Sequence, residues 1–158
     1  MGAQMPFREK VAWVSLVSTV IIWSWYFCRV WQAIQVGKVA DAGFVTLFFT
    51  ALGVIVVVQV GILMLTSRGN LSDFDTKPDE RESLIDGRAN GAAYLMLMNF
   101  LVVLLASTSR IGDFSDAGFA SDPAGSAVVL MANGVVLCIV LAAVVHDAAL
   151  VFFFRRYG

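Results

Sequence analysis

Histidine, cysteine and proline are scarce in this chain of 158 residues, which contains one, two and three of them respectively. A single histidine cannot supply both axial ligands of a bis-histidine haem, and a conventional zinc hydrolase would need further ligands. Cys28 and Cys138 lie in different apolar segments and form no CxxC motif, so neither a structural zinc site nor a dithiol redox pair is indicated. We therefore expect no cofactor and no metal, and we expect both cysteines to be buried as small apolar residues.

Charge is also scarce, since charged residues make up 15% of the chain and the net charge is −1. Binding to a nucleic acid duplex needs a concentrated basic face, whereas the basic residues here are scattered, so nucleic acid is excluded as a partner. Apolar residues instead make up 59% of the chain, well above an ordinary soluble domain. This composition indicates one integral membrane domain over residues 1–158, with the lipid bilayer as its first partner.

Four apolar runs are each long enough to cross a bilayer as a helix, which takes about 20 residues. They cover residues 11–34, 43–66, 87–109 and 126–154. A polar segment, 67–86, separates the second run from the third, and a polar, acidic segment, 110–125, separates the third from the fourth. We therefore predict an all-α fold, a transmembrane four-helix bundle with two polar loops.

Lysine and arginine are distributed unevenly between the two sides of the predicted bundle. Eight fall on the side of the chain termini: Arg8, Lys10, Arg68, Lys77, Arg81, Arg88, Arg155 and Arg156. Three fall on the other side: Arg29, Lys38 and Arg110. Because the cytoplasmic segments of membrane proteins are enriched in basic residues, we predict a protein of the inner, cytoplasmic membrane. Its termini and loop 67–86 would then lie in the cytoplasm, and loop 110–125 would lie outside.

The charged stretch Asp79–Tyr94 runs without interruption into the third apolar segment. As a helix it forms two stripes, one with Asp79, Glu82 and Asp86 and the other with Arg81, Leu84, Ile85, Arg88 and Gly91. Neither Arg81 nor Arg88 has an acidic residue three or four positions away, so any carboxylate partner must come from elsewhere in the fold or from a second chain. Gly87 and Gly91 form a GxxxG spacing, which favours close approach of another helix.

Asp147 is the carboxylate that lies deepest in an apolar run. Counting inward from Phe154 places it about 10 Å along the helix axis, near or inside the hydrocarbon, where it must be paired, protonated or hydrated. Arg88 enters its own helix from the same membrane side at a similar depth, so we predict an Arg88–Asp147 ion pair. The pair is either a structural staple or a proton- or ligand-responsive site. His146 points about 100° away from Asp147 on the helix, so the two do not form a relay by themselves.

Two further polar residues stand in or near the apolar runs. Asn99 falls near the middle of the third run, where we expect it to form a hydrogen bond to a neighbouring helix. Arg29 stands among aromatic residues towards the end of the first helix, which is typical of an interfacial anchor. The alternative for Arg29 is a buried charge that pairs with Asp41 or with an anionic ligand.

The charged stretch also resembles a segment of known proteins. The run Asp79-Glu80-Arg81-Glu82, followed by Ile85, Arg88 and then Ala93-Tyr94, is similar to the DERxxxI…R…AYxxL segment of small prokaryotic membrane proteins of the DUF2178-like kind. The similarity covers the stretch Asp79–Tyr94 only. It implies a small multi-span membrane protein of prokaryotic type and carries no established activity.

Function is constrained less tightly than architecture. We expect a non-enzymatic membrane protein that acts as an accessory, sensor or scaffold subunit, contacting a second copy or a membrane protein partner through its charged helix start. The alternative is a homo-oligomeric channel, or a small-solute or proton-coupled transporter, lined by Arg88, Asp147, His146 and Asn99. An enzyme is not expected, because one histidine and one intramembrane aspartate supply neither a nucleophile–base pair nor a metal set.

Overall fold

A computed structural model describes residues 7–40, 43–67 and 79–157. Across these ranges the chain forms five helices: α1 Phe7–Val36, α2 Phe44–Ser67, α3 Glu80–Ala106, α4 Thr108–Gly118 and α5 Pro123–Tyr157. All of them except α4 are long and apolar enough to cross a membrane. The predicted all-α four-helix bundle is therefore confirmed, and the chain is a multi-pass membrane protein.

Local sequence explains where the helices begin and end. Asp79 caps α3, because its Oδ1 accepts a hydrogen bond from the Glu80 backbone N–H at 2.7 Å. Asp122 does the same for α5 by accepting from the Gly125 N–H at 2.9 Å, and Pro123 is suited to the first helical position because it has no N–H to satisfy. At the end of α1, Gly37 adopts a φ of +72° and reverses the chain.

The segment 110–125, which the sequence predicted to be a loop, contains most of α4. That prediction is wrong because α4 is amphipathic, and its polar side dominates the composition. Ser115 is fully buried and donates to the Pro123 carbonyl, and Phe119 is buried beyond it. Asp113 and Asp116 face outward. The result is a short helix that packs along the first turns of α5.

The four long helices are arranged in the order α2, α1, α5, α3. Helix α5 packs against both α1 and α3, whereas α2 packs mainly against α1. Tyr26 fixes the seam between α1 and α5, since its buried hydroxyl donates to Asn133 Oδ1 at 2.7 Å, and Trp23 meets the Tyr26 ring edge-on at 5.4 Å. Within the described ranges α2 and α3 make only marginal contact with each other. A gap therefore remains between these two helices.

One end of the bundle, which we name the terminal face, is where α1 and α3 begin and α5 ends. Two contacts define it. The Nε of Arg155 lies 3.4 Å from Oε1 of the buried Glu9, and Arg88 Nη1 donates to the Tyr157 hydroxyl at 2.8 Å. The Arg155 guanidinium also stacks over the ring of Trp13 at 5.2 Å. These contacts join the ends of three helices.

Two expectations about packing are wrong. A Cβ added at Gly87 or Gly91 would meet nothing within 4 Å, so the GxxxG spacing does not form the α3–α5 contact. The buried α3 residues are Ile85 and Ala89, on the opposite side of the helix. Cys28 is exposed at the bundle surface, whereas Cys138 is buried as expected. Helix α3 thus turns most of its apolar surface, including both glycines, away from the described bundle.

Candidate functional site

A cavity of about 600 Å³ is lined by all four long helices and is open to the outside of the bundle, since Gln59, Asn90 and Tyr94 at its rim are exposed. Its polar side chains come from each of them: Ser15 and Thr19 from α1, Gln59 from α2, Asn90 from α3, and His146 and Asp147 from α5. Aromatic rings of Trp23 and Tyr94 complete its walls. We name this set the polar cavity.

The polar cavity lies deep in the membrane-spanning part of the chain. Asp147 precedes Tyr157 by ten residues, which corresponds to about 15 Å along the helix axis. The hydrocarbon core of a bilayer is about 30 Å thick. With Tyr157 and the neighbouring arginines at the headgroup level, the Asp147 carboxylate is close to the middle of the membrane.

Asp147 and His146 contact each other, although the sequence predicted that they diverge. Nδ1 of His146 lies 3.1 Å from Oδ1 of Asp147, because rotation about the side-chain bonds offsets the 100° between adjacent helical positions. When Asp147 is ionised it can only accept a hydrogen bond, so this contact then requires the proton on Nδ1. The Asp147 side chain is 12% exposed and that of His146 is 31% exposed. Both remain accessible from the cavity.

The α1 and α2 walls were not identified as a site from the sequence. Gln59 Nε2 donates to Ser15 Oγ at 3.3 Å and links the two helices across the cavity edge. Ser15, Thr19 and Trp23 follow one another at intervals of four residues, so they share one face of α1. Ser15 and Thr19 are small polar residues four positions apart in an apolar helix, and this pattern could have been found in the sequence.

The predicted Arg88–Asp147 ion pair does not form. Arg88 donates to Tyr157, and its guanidinium carbon lies 5.4 Å from the centre of that ring. Side chains on a helix lean towards its N-terminus. Helix α3 begins at the terminal face, so Arg88 leans out of the membrane; α5 ends there, so Asp147 leans into it. The two residues enter from the same side and point in opposite directions.

Arg81 and Arg88 instead line the same pocket at the terminal face. Together with Leu84, Ile85 and Tyr157 they line a second pocket of about 310 Å³ between the start of α3 and the last turn of α5. We name it the arginine pocket. Its four α3 residues belong to the stripe predicted from the sequence, so the stripe is correct although the partner inferred for it is not.

Asn99 and Arg29 lie outside both pockets. The Nδ2 of Asn99 donates to the Leu95 carbonyl of its own helix at 2.7 Å, so the expected bond to a neighbouring helix is absent, and the side chain faces outward. Arg29 is exposed and shares a cleft with Trp25 and Lys38 at the end opposite the terminal face. That position is typical of an interfacial anchor. Asp41, the alternative partner of Arg29, lies outside the described residues.

The polar cavity has the chemistry of a binding site for a small cation. It combines one carboxylate, an imidazole, hydroxyl and amide groups, and two aromatic rings, and its volume is within the range usual for small ligands. Comparison of the sequence with family models, and of the protein with curated proteins and solved structures, finds no match. The resemblance carried by Asp79–Tyr94 therefore stays a prediction, and function is inferred from the site.

Proposed function

We propose that the protein binds a small organic cation, such as a primary amine, in the polar cavity and moves it across the bilayer. Asp147 acts as the counter-charge and His146 as the proton partner. The observation that carries the proposal is the carboxylate of Asp147, which lies deep between four helices. Among the described residues its ion-pair partner is a histidine, which is charged only when protonated.

A carboxylate at this depth needs an explanation. An aspartate at the centre of a membrane helix is unfavourable by roughly 2.5–3.5 kcal/mol on insertion scales. Pairing with Arg88 would have offset this cost, but Arg88 contacts Tyr157. Acidic residues that face a cavity inside a membrane commonly mark the path of an ion or substrate. Solute binding therefore explains a carboxylate at this depth better than a structural role does.

The cavity walls favour a cation over an anion or a neutral solute. Asp147 supplies negative charge, and the polar groups of Ser15, Thr19 and Gln59 are neutral. Aromatic rings attract cations through their electron-rich faces, with roughly 2 kcal/mol or more when water is excluded. Trp23, which is 8% exposed, provides a ring shielded from water, and Tyr94, which is 62% exposed, provides a second ring at the rim of the cavity. An ammonium group can thus meet a carboxylate and an aromatic face together.

We propose that proton movement is coupled to solute binding through charge. When the cavity holds no solute, a protonated His146 balances the charge of the Asp147 carboxylate, whose Oδ1 lies 3.1 Å from His146 Nδ1. An ammonium group that binds to Asp147 brings a second positive charge, so His146 releases one proton to water and the net charge of the site is unchanged. The titratable groups that line the cavity are His146, Asp147 and Tyr94, and the lining from α1 and α2 contributes none.

The gap between α2 and α3 is the proposed route into the cavity. Both helices line the cavity but make only marginal contact with each other in the described ranges. A second copy of the chain covering this gap would give a homo-oligomeric transporter. We also propose location in the inner membrane, with the terminal face in the cytoplasm, on the basis of the eight-to-three bias in basic residues.

Uptake of methylammonium into proteoliposomes tests the proposal. Asp147→Asn keeps the size of the side chain and removes its charge. We expect uptake to fall about tenfold or more, the change that corresponds to roughly 1.4 kcal/mol of lost binding. Asp116→Asn is the matched control, because Asp116 is an exposed carboxylate on α4, away from the cavity. It should leave uptake unchanged.

Two results would contradict the proposal, the first by excluding transport and the second by excluding the role of Asp147. One is an uptake by the original protein no faster than in protein-free liposomes, and the other is an equal uptake by the Asp147→Asn protein. Size-exclusion profiles of all three proteins in one detergent establish that the differences do not come from misfolding.

An accessory or scaffold role is the second candidate function. It is favoured by the exposure of Glu80, Arg81, Ser83 and Leu84 in the first turns of α3, where a partner could bind. Such a role predicts no methylammonium uptake and a co-purifying membrane protein that is lost on Glu80→Lys. Both functions are proposed as non-enzymatic.

A further inference from the structure

The arginine pocket brings two positive charges and a hydroxyl to the edge of the membrane. Arg81, Leu84, Ile85 and Arg88 are spaced so that they share one face of α3, and Tyr157 closes the pocket from α5. The Arg88 guanidinium is held in place by its hydrogen bond to Tyr157 Oη and by stacking on that ring. One of the two cations is therefore already oriented.

Both arginines lack an acidic partner in the part of the chain that the structure describes. The salt bridges found there join His146 to Asp147 and Arg155 to Glu9. No carboxylate lines the arginine pocket, and its remaining walls are apolar. Two exposed guanidinium groups therefore line one side of a pocket of about 310 Å³ whose lining contains no carboxylate.

We infer that the arginine pocket binds the phosphate group of an anionic phospholipid, with Arg81 and Arg88 as its charged ligands and Tyr157 as a hydroxyl donor. Guanidinium groups bind phosphate through paired, charge-assisted hydrogen bonds. The pocket lies where α3 leaves the membrane, and the arginines lean towards the headgroups. This site is separate from the polar cavity, and its occupancy does not depend on transport.

The surface next to the pocket explains why we expect a lipid as the ligand and not a free phosphate ion. Leu84 is 65% exposed and Leu95 is 63% exposed. Gly91 lies between them on the same face, and nothing lies within 4 Å of the position its Cβ would take. These residues form a shallow apolar track that leads from the arginines into the membrane, and an acyl chain attached to the bound phosphate would lie along it.

Titration of the detergent-solubilised, delipidated full chain with short-chain lipids tests the inference. Dioctanoyl phosphatidylglycerol is compared with dioctanoyl phosphatidylcholine and with inorganic phosphate, and the rise in Tm with ligand concentration gives each Kd. We expect phosphatidylglycerol to bind about tenfold more tightly than phosphatidylcholine. Inorganic phosphate alone should give no shift, because it has no chain for the apolar track.

Arg81→Gln is the most informative variant, because among the described residues no hydrogen bond or ion pair that could stabilise the fold involves Arg81. We expect it to weaken phosphatidylglycerol binding about tenfold, roughly the effect of one lost charge-assisted hydrogen bond. Arg110→Gln, which removes an exposed arginine on α4, is the matched control and should not change the Kd. The inference is overturned if both lipids bind equally, if phosphate alone gives the same shift, or if Arg81→Gln and Arg110→Gln behave alike.

Discussion

The polar cavity and the arginine pocket both contain charged residues of the antiparallel helices α3 and α5 or of one of them, yet their charges point in opposite directions. In the cavity a carboxylate points towards the middle of the membrane and bonds to a histidine. In the pocket two arginines point towards the headgroups, and one of them binds a tyrosine hydroxyl. Asp147 and Arg88 are separated by the direction of their helices, because each side chain leans towards its own N-terminus.

The depth of two residues from the same membrane side is therefore not enough to identify an ion pair between antiparallel helices. Arg88 can extend to the interface with its long, flexible side chain, which lowers the cost of its charge. Asp147 has a short side chain that leans away from the interface and cannot do so. The arginine is therefore accommodated by its position, whereas the aspartate remains an unfavourable group that a solute or a proton can neutralise.

We expect the largest difference between the polar cavity and the arginine pocket in the free energy of unfolding of single variants. Asp147→Leu removes an unfavourable intramembrane charge, and we expect it to raise the free energy of unfolding by roughly 1–3 kcal/mol. Arg88→Met removes an exposed contact to Tyr157 and should lower that free energy by less than about 1 kcal/mol. Thermal unfolding in one fixed detergent measures both. A loss of stability in both variants would remove the contrast between cavity and pocket.

The double variant gives a smaller but sharper test. Because Arg88 and Asp147 point apart, the effects of Arg88→Met and Asp147→Leu should add within about 0.5 kcal/mol in a double-mutant cycle. Residues in direct contact usually show a coupling of roughly 0.5–3 kcal/mol. A coupling in that range would restore the ion pair predicted from the sequence and would contradict the leaning directions proposed for the two side chains.

Much of the fold could be predicted from the sequence because long apolar runs have few alternatives in a membrane. The all-α class followed from the length of the apolar runs, and a helix that begins near Asp79 followed from the two stripes into which the charged stretch sorts. Helix α4 was missed because three aspartates between Arg110 and Gly125 concealed the buried side formed by Ser115 and Phe119. A search for helical periodicity in the polar segments would have found it.

Less of the site could be predicted. Asp147 was identified because a carboxylate in an apolar run is conspicuous, but Asn90, Gln59 and Ser15 look like ordinary polar residues until four helices bring them together. The lateral order of helices is not written in one sequence. The direction of the Arg88 side chain, in contrast, could have been predicted. Side chains on a helix lean towards its N-terminus, and this general rule would have excluded the ion pair.

Chemical modification of a cysteine in the cavity wall measures whether solutes reach the cavity and whether Asp147 makes it negatively charged. Asn90→Cys would be introduced with Cys28→Ser and Cys138→Ala, and its reaction rates with a trimethylammonium-ethyl and a sulfonato-ethyl methanethiosulfonate would be compared. Each ratio of cationic to anionic rate is divided by the ratio measured for a small thiol in solution. A cavity that is open to solutes and negatively charged at Asp147 predicts a corrected ratio of about ten, and a corrected ratio near one after Asp147→Asn. Absence of reaction with either reagent, or a ratio that Asp147→Asn does not change, would contradict a solute-binding cavity built on Asp147.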